Sequence, residues 1–357
     1  MEKEIKNILV IRFRRVGDSV LSMGLCHTLR KSFPGAEIDL VINKGIDSLY
    51  RSHPDVDNLI VFDKDENDNI FRHIAKIRHT MRAKRYDIIV DMRSTVKSLL
   101  FSLFSLRTPY RLGRKKWYSR LLLTHTADNH AAGTGTRPEQ NLLLLKPLEK
   151  IADIHYSTDF RLYVTGAEKR AFAERMMQCG IDFSHPVAVV AVATRVRSKA
   201  WPMDAMTETL HRMMEHCPDI QLVFNYAGDE REVAMEQYKA LGMDSRIFMN
   251  IEACSLRDLC AMLSCSTFFF GNEGGPRHMA QALGIPSFAI FPPGIRKATW
   301  LCNENSTNAG VSPDDYLTPQ EQDALNMQYG ERMGLITVDR VWERLEIFMD
   351  SLPNLRQ

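Results

Sequence analysis

Residues 268–294 read FFFGNEGGPRHMAQALGIPSFAIFPPG, and this stretch decides the fold. The apolar run 268–270 is typical of a buried strand that stops at Gly271, and helical spacing follows near 276–283. A second apolar run, PSFAIFP at 286–292, predicts another strand. A strand, a helix and a strand in this order predict a parallel βαβ unit.

The same alternation of strand and helix patterns fills the rest of the chain. In the first half, strand patterns occur at 7–13, 36–43, 58–63 and 86–92. After a connector at 155–166 without helical periodicity, a second series runs through 186–194, 219–228, 246–251 and 266–272. We therefore predict an α/β protein of two Rossmann-like domains, residues 1–160 and 161–335, with an amphipathic helix in a final segment, 336–357. A length of 357 residues favours two domains as well.

Composition narrows the class of protein. The apolar fraction of 45% and the charged fraction of 25% are typical of globular proteins and exclude a disordered or collagen-like chain. The sequence has no run of about 20 apolar residues and no signal-peptide pattern, which predicts a cytoplasmic protein. Seven cysteines without zinc-type spacing predict reduced thiols and no metal site.

Positive charge is concentrated in the first half of the chain. Residues 1–165 carry 28 Lys and Arg against 19 Asp and Glu, a net charge of +9, whereas the remainder carries −7. This asymmetry indicates an anionic partner for the first domain. The densest segment, 107–120, is compatible with a solvated loop, a phosphate-rich acceptor or an anionic membrane surface. Nucleic acid stays open too, because Tyr110, Trp117 and Tyr118 lie between the charges.

Ligands of open α/β sheets bind beyond the carboxyl ends of the strands. The first strand is followed by RFRRVGDS, which lacks both the dinucleotide-binding and the P-loop glycine patterns. Asp18 then stands at the start of a helix. It is either an N-cap or a carboxylate able to accept a proton from an acceptor hydroxyl, and both interpretations can hold.

Polar residues follow three strands of the second series. Thr194, Arg195 and Lys199 supply a hydroxyl and cations suited to a diphosphate, although a plain polar loop would look similar. Asp229 and Glu230 begin the next helix, where an acid either caps the helix or binds ribose hydroxyls.

After the 268–270 run, Glu273, Gly274 and Gly275 form a bare-backbone turn before a helix, and such a helix start can bind phosphate. Pro276 is expected as the first helical residue. His278, in the first turn, is either a ligand contact or a structural histidine.

At these residues the sequence resembles glycosyltransferase family 9, the heptosyltransferase-like enzymes of lipopolysaccharide core assembly. The resemblance rests on four motifs in order, ILVIRFRRVGDSVLS, ATRVRSKAWP, the Gly-Asp-Glu turn at 228–230, and GNEGGPRHMAQALGIP. It implies a GT-B architecture of two facing Rossmann-like domains, with the C-terminal helix crossing back onto the N-terminal domain. It also implies inverting transfer, without metal or cofactor, from an ADP-sugar, typically ADP-heptose, to lipid A–core.

The resemblance also implies roles for single residues. Asp18 would be the general base, and the donor would be bound by Thr194, Arg195, Lys199, Asp229, Glu230, Glu273, Gly274, Gly275 and His278. Two positions depart from the better-known members, which have Asp-Thr-Gly where this chain has Glu273, Gly274 and Gly275. The donor sugar or nucleotide can therefore differ.

The basic first domain would meet the anionic acceptor, with Arg111, Arg114 and Lys115 on the acceptor side. A peripheral contact with the cytoplasmic face of the inner membrane is compatible with this charge, and no nucleic acid is expected. Two alternatives stay open on the same architecture, a non-catalytic nucleotide-sugar-binding protein and a nucleotide-sugar epimerase.

Overall fold

A computed structural model describes residues 4–13, 15–128, 135–325, 327–328, 331–353 and 355. The chain divides into two compact units between Tyr163 and Val164, three residues after the boundary expected from the sequence. Each described unit contains one six-stranded sheet in which all paired strands are parallel. The predicted α/β class with parallel sheets is confirmed.

The first unit has the strand order β3-β2-β1-β4-β5-β6 within its described residues. Its strands are β1 (Asn7–Ile11), β2 (Glu37–Asn43), β3 (Asn58–Phe62), β4 (Ile88–Asp91), β5 (Tyr110–Arg114) and β6 (His125–Ala127). Its helices are α1 (Val16–Val20), α2 (Met23–Ser32), α3 (Lys64–Asp68), α4 (Ile70–Ala83), α5 (Val96–Leu103) and α6 (Arg137–Leu142), with 3-10 turns at Asp47–Leu49, Ser119–Leu121 and Leu143–Lys150.

The second unit has the order β12-β11-β10-β7-β8-β9. Its strands are β7 (Val187–Ala191), β8 (Gln221–Phe224), β9 (Ile247–Phe248), β10 (Phe268–Asn272), β11 (Ser287–Ile290) and β12 (Asn308–Val311). Its helices are α7 (Gly166–Gln178), α8 (Met203–His216), α9 (Glu230–Ala240), α10 (Leu256–Ser264), α11 (Gly275–Ala282), α12 (Lys297–Trp300), α13 (Pro319–Ala324) and α14 (Val338–Ser351), with 3-10 turns at Arg197–Lys199, Pro313–Asp315 and Glu331–Leu335.

The first strand of each series lies inside its sheet, between strands that come later in the chain. Ile8–Ile11 and the whole of β7 are buried, as expected for parallel strands that are covered on both faces. Because all strands of a sheet run the same way, the segments that follow β7, β8 and β10 meet at one edge of the second sheet. That edge carries the predicted donor residues.

The C-terminal helix packs by its apolar face. Val341, Leu345 and Phe348 of α14 are buried in the core of the second unit, where the ring of Phe348 lies 5.9 Å from that of Phe268 and 5.7 Å from that of Phe288. The apolar face that the sequence predicts for this helix is therefore used within the second unit.

Candidate active site

The turn after β10 is tied to neighbouring segments by the side chain of Asn272. Its Oδ1 accepts a hydrogen bond from the N–H of Trp201 (2.8 Å), and its Nδ2 donates to the carbonyl oxygens of Ala191 (3.2 Å) and Val192 (3.1 Å). Gly271 has a φ of +139°, and a Cβ there would overlap the backbone of Ala191. Glycine is thus required at this position, and the ends of β7 and β10 are held together.

The two glycines that follow leave the start of α11 uncovered. Gly274 is fully extended, and a Cβ there would meet only Pro276, at 3.8 Å. The helix begins at Gly275, so Pro276 is its second residue and not its first as predicted. A helix start without nearby side chains lets an anionic group approach the backbone N–H groups closely.

Two buried side chains, Arg277 and His278, and the largely buried Glu273 lie beside this turn. The Nε2 of His278 lies 3.1 Å from Oε1 of Glu273, and its Nδ1 lies 2.7 Å from Nη2 of Arg277. A guanidinium has only donors, so Nδ1 must accept and Nε2–H donates to the carboxylate. Arg277 also donates to the carbonyl oxygen of Trp300 (2.7 Å) and to Gln281 (2.6 Å). The histidine is thereby fixed in one orientation.

Electrostatics keep Glu273 ionised. Burial alone would raise the pKa of its carboxyl, but the hydrogen bond from His278 and the charges of Arg277 and Lys199 outweigh burial and place the pKa below its ordinary value. Burial lowers the pKa of the guanidinium of Arg277, and the charge of Glu273 opposes that shift. This group therefore contains a buried carboxylate and a buried cation.

The segment after β7 brings cations to the same edge. Thr194 forms a local turn, in which Oγ1 accepts from the N–H of Val196 (3.1 Å) and donates to its carbonyl oxygen (2.9 Å). Arg195 is exposed, and Lys199 is half-buried in the short 3-10 turn that follows. The charge of Lys199 acts on Glu273, so both predicted donor residues belong to one electrostatic environment.

At the start of α9, Asp229 is the N-cap residue and Glu230 is the first residue of the helix. Oε2 of Glu230 accepts from the N–H of Ala227 at 3.0 Å, whereas Asp229 is exposed and makes no side-chain cap bond. Burial raises the pKa of Glu230, although the bond from Ala227 and the charge of Arg195 oppose this. The charge of Arg195, which follows β7, thus acts on Glu230, which follows β8.

In the first unit, Asp18 lies inside α1, so its interpretation as an N-cap is wrong; the N-cap position is Arg15. Nη2 of Arg12 donates to Oδ1 of Asp18 (3.0 Å) and to its carbonyl oxygen (2.9 Å), and Nε of Arg137 lies 4.0 Å from Oδ1. Arg12 and Arg137 are both buried. The carboxylate of Asp18 therefore stands between two buried guanidinium groups.

The basic segment 107–120 is not a plain solvated loop, because it contains strand β5. The guanidinium of Arg111 donates to the carbonyl oxygens of Leu122 (2.7 Å), Leu106 (2.9 Å) and Thr108, which holds its side chain in place. The other two predicted acceptor residues differ in exposure. Arg114 is buried at the end of β5, and Lys115 is exposed.

A cavity of about 450 Å³ opens at the carboxyl edge of the first sheet. Phe13 and Phe62 pack edge to face at 5.1 Å and form part of its wall. Its charged lining consists of Lys44, Lys64, Arg93 and Lys97 against Asp63 and Asp68. The sequence did not reveal this cavity, because its residues come from segments after four different strands.

The structure adds three buried arginines that the sequence-based site lacked a role for: Arg12, Arg137 and Arg277. Arg12 carried a recognisable signal, since a charged residue directly after the apolar run 7–11 must find a partner if it is buried. Among the described residues, no cluster of three or more His, Cys, Asp or Glu side chains is arranged to hold a metal ion.

A family model, glycosyltransferase family 9 (heptosyltransferase), matches residues 74–327. The chain belongs to glycosyltransferase family 9. Lipopolysaccharide heptosyltransferase 3 of Escherichia coli (strain K12) is 22% identical over 292 residues, which cover 77% of this chain and 79% of that protein. This glycosyltransferase is thus similar to curated relatives over most of its length.

Solved structures support the fold of this family 9 protein. A glycosyl transferase family 9 protein from Veillonella parvula DSM 2008 has a TM-score of 0.81 at 18% identity, with 98% of both chains covered. The structure of the E. coli heptosyltransferase WaaC with ADP-2-deoxy-2-fluoro heptose has a TM-score of 0.66 at 17% identity, with 95% of this chain and 99% of that chain covered.

Proposed function

We propose that this glycosyltransferase transfers a sugar, a heptose in the first instance, from an ADP-sugar to an anionic acceptor of the lipopolysaccharide-core type. One observation carries the donor side of the proposal. The carboxyl edge of the second sheet gathers the bare turn at Gly274 and Gly275, the cations Arg195 and Lys199, and the buried pair of Glu273 and His278. This chemistry suits a diphosphate and a hydroxyl-rich sugar.

The relatives support the same donor. One relative is named lipopolysaccharide heptosyltransferase 3, and the structure of WaaC is with ADP-2-deoxy-2-fluoro heptose. In this proposal, three residues of the second unit hold the nucleotide. Thr194 and Lys199 bind the diphosphate, and Glu230 binds ribose hydroxyls. The departure at Gly274, which removes a hydroxyl and leaves space, is where sugar preference is expected to differ from that of the relatives.

The proposed reaction inverts the configuration of the sugar. Asp18 accepts the proton of the acceptor hydroxyl while the hydroxyl oxygen bonds to the anomeric carbon from the face opposite the diphosphate. The bond from that carbon to the diphosphate oxygen breaks, and ADP leaves with the electron pair. Lys199 and the N–H groups at the start of α11 stabilise the charge on ADP, a role that metal ions fill in other transferases.

On the acceptor side, we propose the cavity of the first unit as a binding place for a charged sugar of the acceptor. Its positively charged lining of Lys44, Lys64, Arg93 and Lys97 suits carboxylate or phosphate groups. Lys115, exposed after β5, stays a further candidate contact.

The donor is tested first, by thermal-shift titration with ADP, UDP, GDP and CMP. Selective stabilisation by ADP is expected, about 2.7 kcal/mol at a ligand concentration of one hundred times Kd. Stabilisation by another nucleotide alone would overturn the ADP-sugar proposal and retain the fold.

The base is tested with Asp18→Asn in an assay of ADP release with ADP-heptose and a lipid A–core acceptor. We expect kcat to fall by about 10²- to 10⁴-fold with unchanged ADP binding. Asp153→Asn, an exposed acid of the same unit outside the cavity lining, is the matched control and should leave kcat within about twofold of the wild type. A rate of Asp18→Asn within a few-fold of the wild type would exclude Asp18 as the base.

A further inference from the structure

Residues 92–127 contain eight Lys and Arg and no Asp or Glu. In the structure this stretch comprises the turn after β4, α5, β5 and the connection to β6. This segment therefore adds only positive charge to the outer part of the first sheet. These 36 residues have a net charge of +8, which is most of the net charge of +9 of residues 1–165.

Large apolar side chains are exposed within the same stretch. Val96, at the start of α5, is 71% exposed, and Trp117, after β5, is 89% exposed. Because β4 and β5 are parallel neighbours, both residues follow the carboxyl ends of their strands and lie near the same edge of the sheet. The hydroxyl of Tyr118 donates to the carbonyl oxygen of Ser94 at 3.1 Å and joins the two segments.

Basic side chains surround these apolar residues. Lys97 follows Val96 and is exposed, and the segment 115–121 contains Lys115, Lys116 and Arg120 together with Leu121, which is 82% exposed. We call Val96, Lys97 and segment 115–121 the apolar-basic surface. Within the described part of the chain no element covers its exposed apolar side chains. Residues 92–127 supply no acid to its cations, and the charge of Lys116 acts on the buried carboxyl of Asp91 just before that stretch.

The geometry of the aromatic residues disfavours nucleic acid as the partner. Tyr110 stacks on His125 at 6.2 Å, and Tyr118 packs edge to face against Trp117 at 5.4 Å and bonds Ser94 through its hydroxyl. Of the three aromatics in segment 107–120, Trp117 alone is largely exposed, whereas binding of a single strand uses several rings that stack on successive bases.

We propose that the apolar-basic surface binds a bilayer that contains anionic lipids. The cations would lie at the head groups, and Trp117 and Leu121 would enter the interface, where tryptophan is favoured. Among the described residues no helix is long and apolar enough to cross a membrane, so this contact is with the surface of the bilayer. The inference does not depend on the donor or on the reaction proposed above.

Flotation of the full chain with vesicles tests the proposal. One set contains phosphatidylcholine alone, and the other also contains phosphatidylglycerol, at physiological salt. We expect binding to the second set only. Each basic residue near an anionic surface contributes roughly fivefold to the binding constant, so K115Q/K116Q/R120Q should lose on the order of one hundredfold. W117S/L121S should lose more than about tenfold, from the apolar area withdrawn from the interface.

Leu106 and Arg107 provide a matched control in the same acid-free stretch. They precede β5 and thus lie toward the opposite edge, and Thr108 beside them donates to the carbonyl oxygen of Tyr86, just before β4, at 2.9 Å. Leu106 is 58% exposed. L106S/R107Q removes one apolar and one basic residue and should bind vesicles as the wild type does. Unchanged thermal unfolding of all variants verifies that they are folded.

Three results would overturn the inference. One is no binding to phosphatidylglycerol vesicles, and another is an equal loss of binding in L106S/R107Q and in the variants of segment 115–121. The third is tighter binding to a random single-stranded oligonucleotide that competes with the vesicles, which would identify the surface as a nucleic-acid site. None of these outcomes changes the expectation for ADP titration, so the two proposals fail separately.

Discussion

Replacing Glu273 with glutamine removes a buried charge while keeping the shape of the side chain. The amide oxygen can still accept from Nε2–H of His278, so the hydrogen bond is retained. What is lost is the negative charge near the buried guanidinium of Arg277. Glu273→Gln should therefore destabilise the second unit mainly through electrostatics, which allows the magnitude to be worked out from the distances.

Nη2 of Arg277 lies 3.2 Å from Nε2 of His278, which lies 3.1 Å from the carboxylate oxygen of Glu273, so the charged atoms are at most about 6.3 Å apart. With an effective dielectric constant of about 20, the attraction at that separation is about 2.6 kcal/mol. Because a neutral amide costs less to bury than a carboxylate, Glu273→Gln alone should lower the free energy of unfolding at pH 7 by less than this amount.

Urea unfolding of Glu273→Gln, Arg277→Met and the double variant measures this attraction as a coupling energy. We expect a coupling energy near 2.6 kcal/mol. A coupling energy below about 0.5 kcal/mol would refute the reasoning, because substitutions at independent sites deviate from additivity by that much. Glu230→Gln is the matched control with the opposite sign. Burial raises the pKa of Glu230, so loss of its charge should not destabilise the protein.

The same pair has a pH signature. Since the folded pKa of Glu273 is below the ordinary value of 4.5, its stabilisation is complete above that value and is lost as the pH falls through the lower folded pKa. The difference between the wild type and Glu273→Gln should thus be largest near neutrality and shrink below about pH 4.5. A difference that stays constant into acid would mean that the charge is not its cause.

Other substitutions test features outside this pair. Hydrogen bonds from Arg257 lower the pKa of Glu168 to about 2, so Glu168→Gln should lose about 1–2 kcal/mol at pH 7 after allowance for solvent screening. Urea unfolding should show that difference vanish as the pH falls from about 4.5 to about 2, and a loss that persists at pH 2 would contradict this assignment. Gly271→Ala should cost about 3 kcal/mol, because its Cβ meets the backbone of Ala191 at a positive φ. Gly274→Ala, in extended backbone with open space, should change the free energy of unfolding by less than about 0.5 kcal/mol. Urea unfolding measures both variants, and an equal loss of stability at the two glycines would refute the steric argument.

Most strands could be predicted because parallel strands that are buried on both faces are written as apolar runs, such as ILVI at 8–11. β5, β6 and β12 were not predicted. β5 reads YRLGR, in which the charges hide the pattern, and Gly113 packs closely against Ser94 and Leu123 in a way that no local signal reveals. β6 has only the three residues HTA, and β12 reads NAGV, which has too little apolar bulk to distinguish it from a loop.

The candidate site also contains residues that a local sequence pattern predicts and residues that it does not. Glu273 and His278 could be predicted from a local pattern, a glycine turn between a strand and a helix, and the structure brings them into contact. The surroundings of Asp18 could not, because Arg137 lies 119 residues further along the chain. Contacts that join distant segments depend on the whole fold, and a single sequence contains no local record of them.

The order of strands has a consequence for how the protein is made. Each described sheet takes all its strands from one unbroken stretch of chain, and neither sheet borrows a strand from the other unit. The first sheet can therefore close while the ribosome is still translating residues 164–357, since β4, the late partner of β1, has already emerged. Domains of a growing chain generally fold as units from the N-terminus. The basic unit is thus expected to reach its folded form in the cell before its partner unit exists.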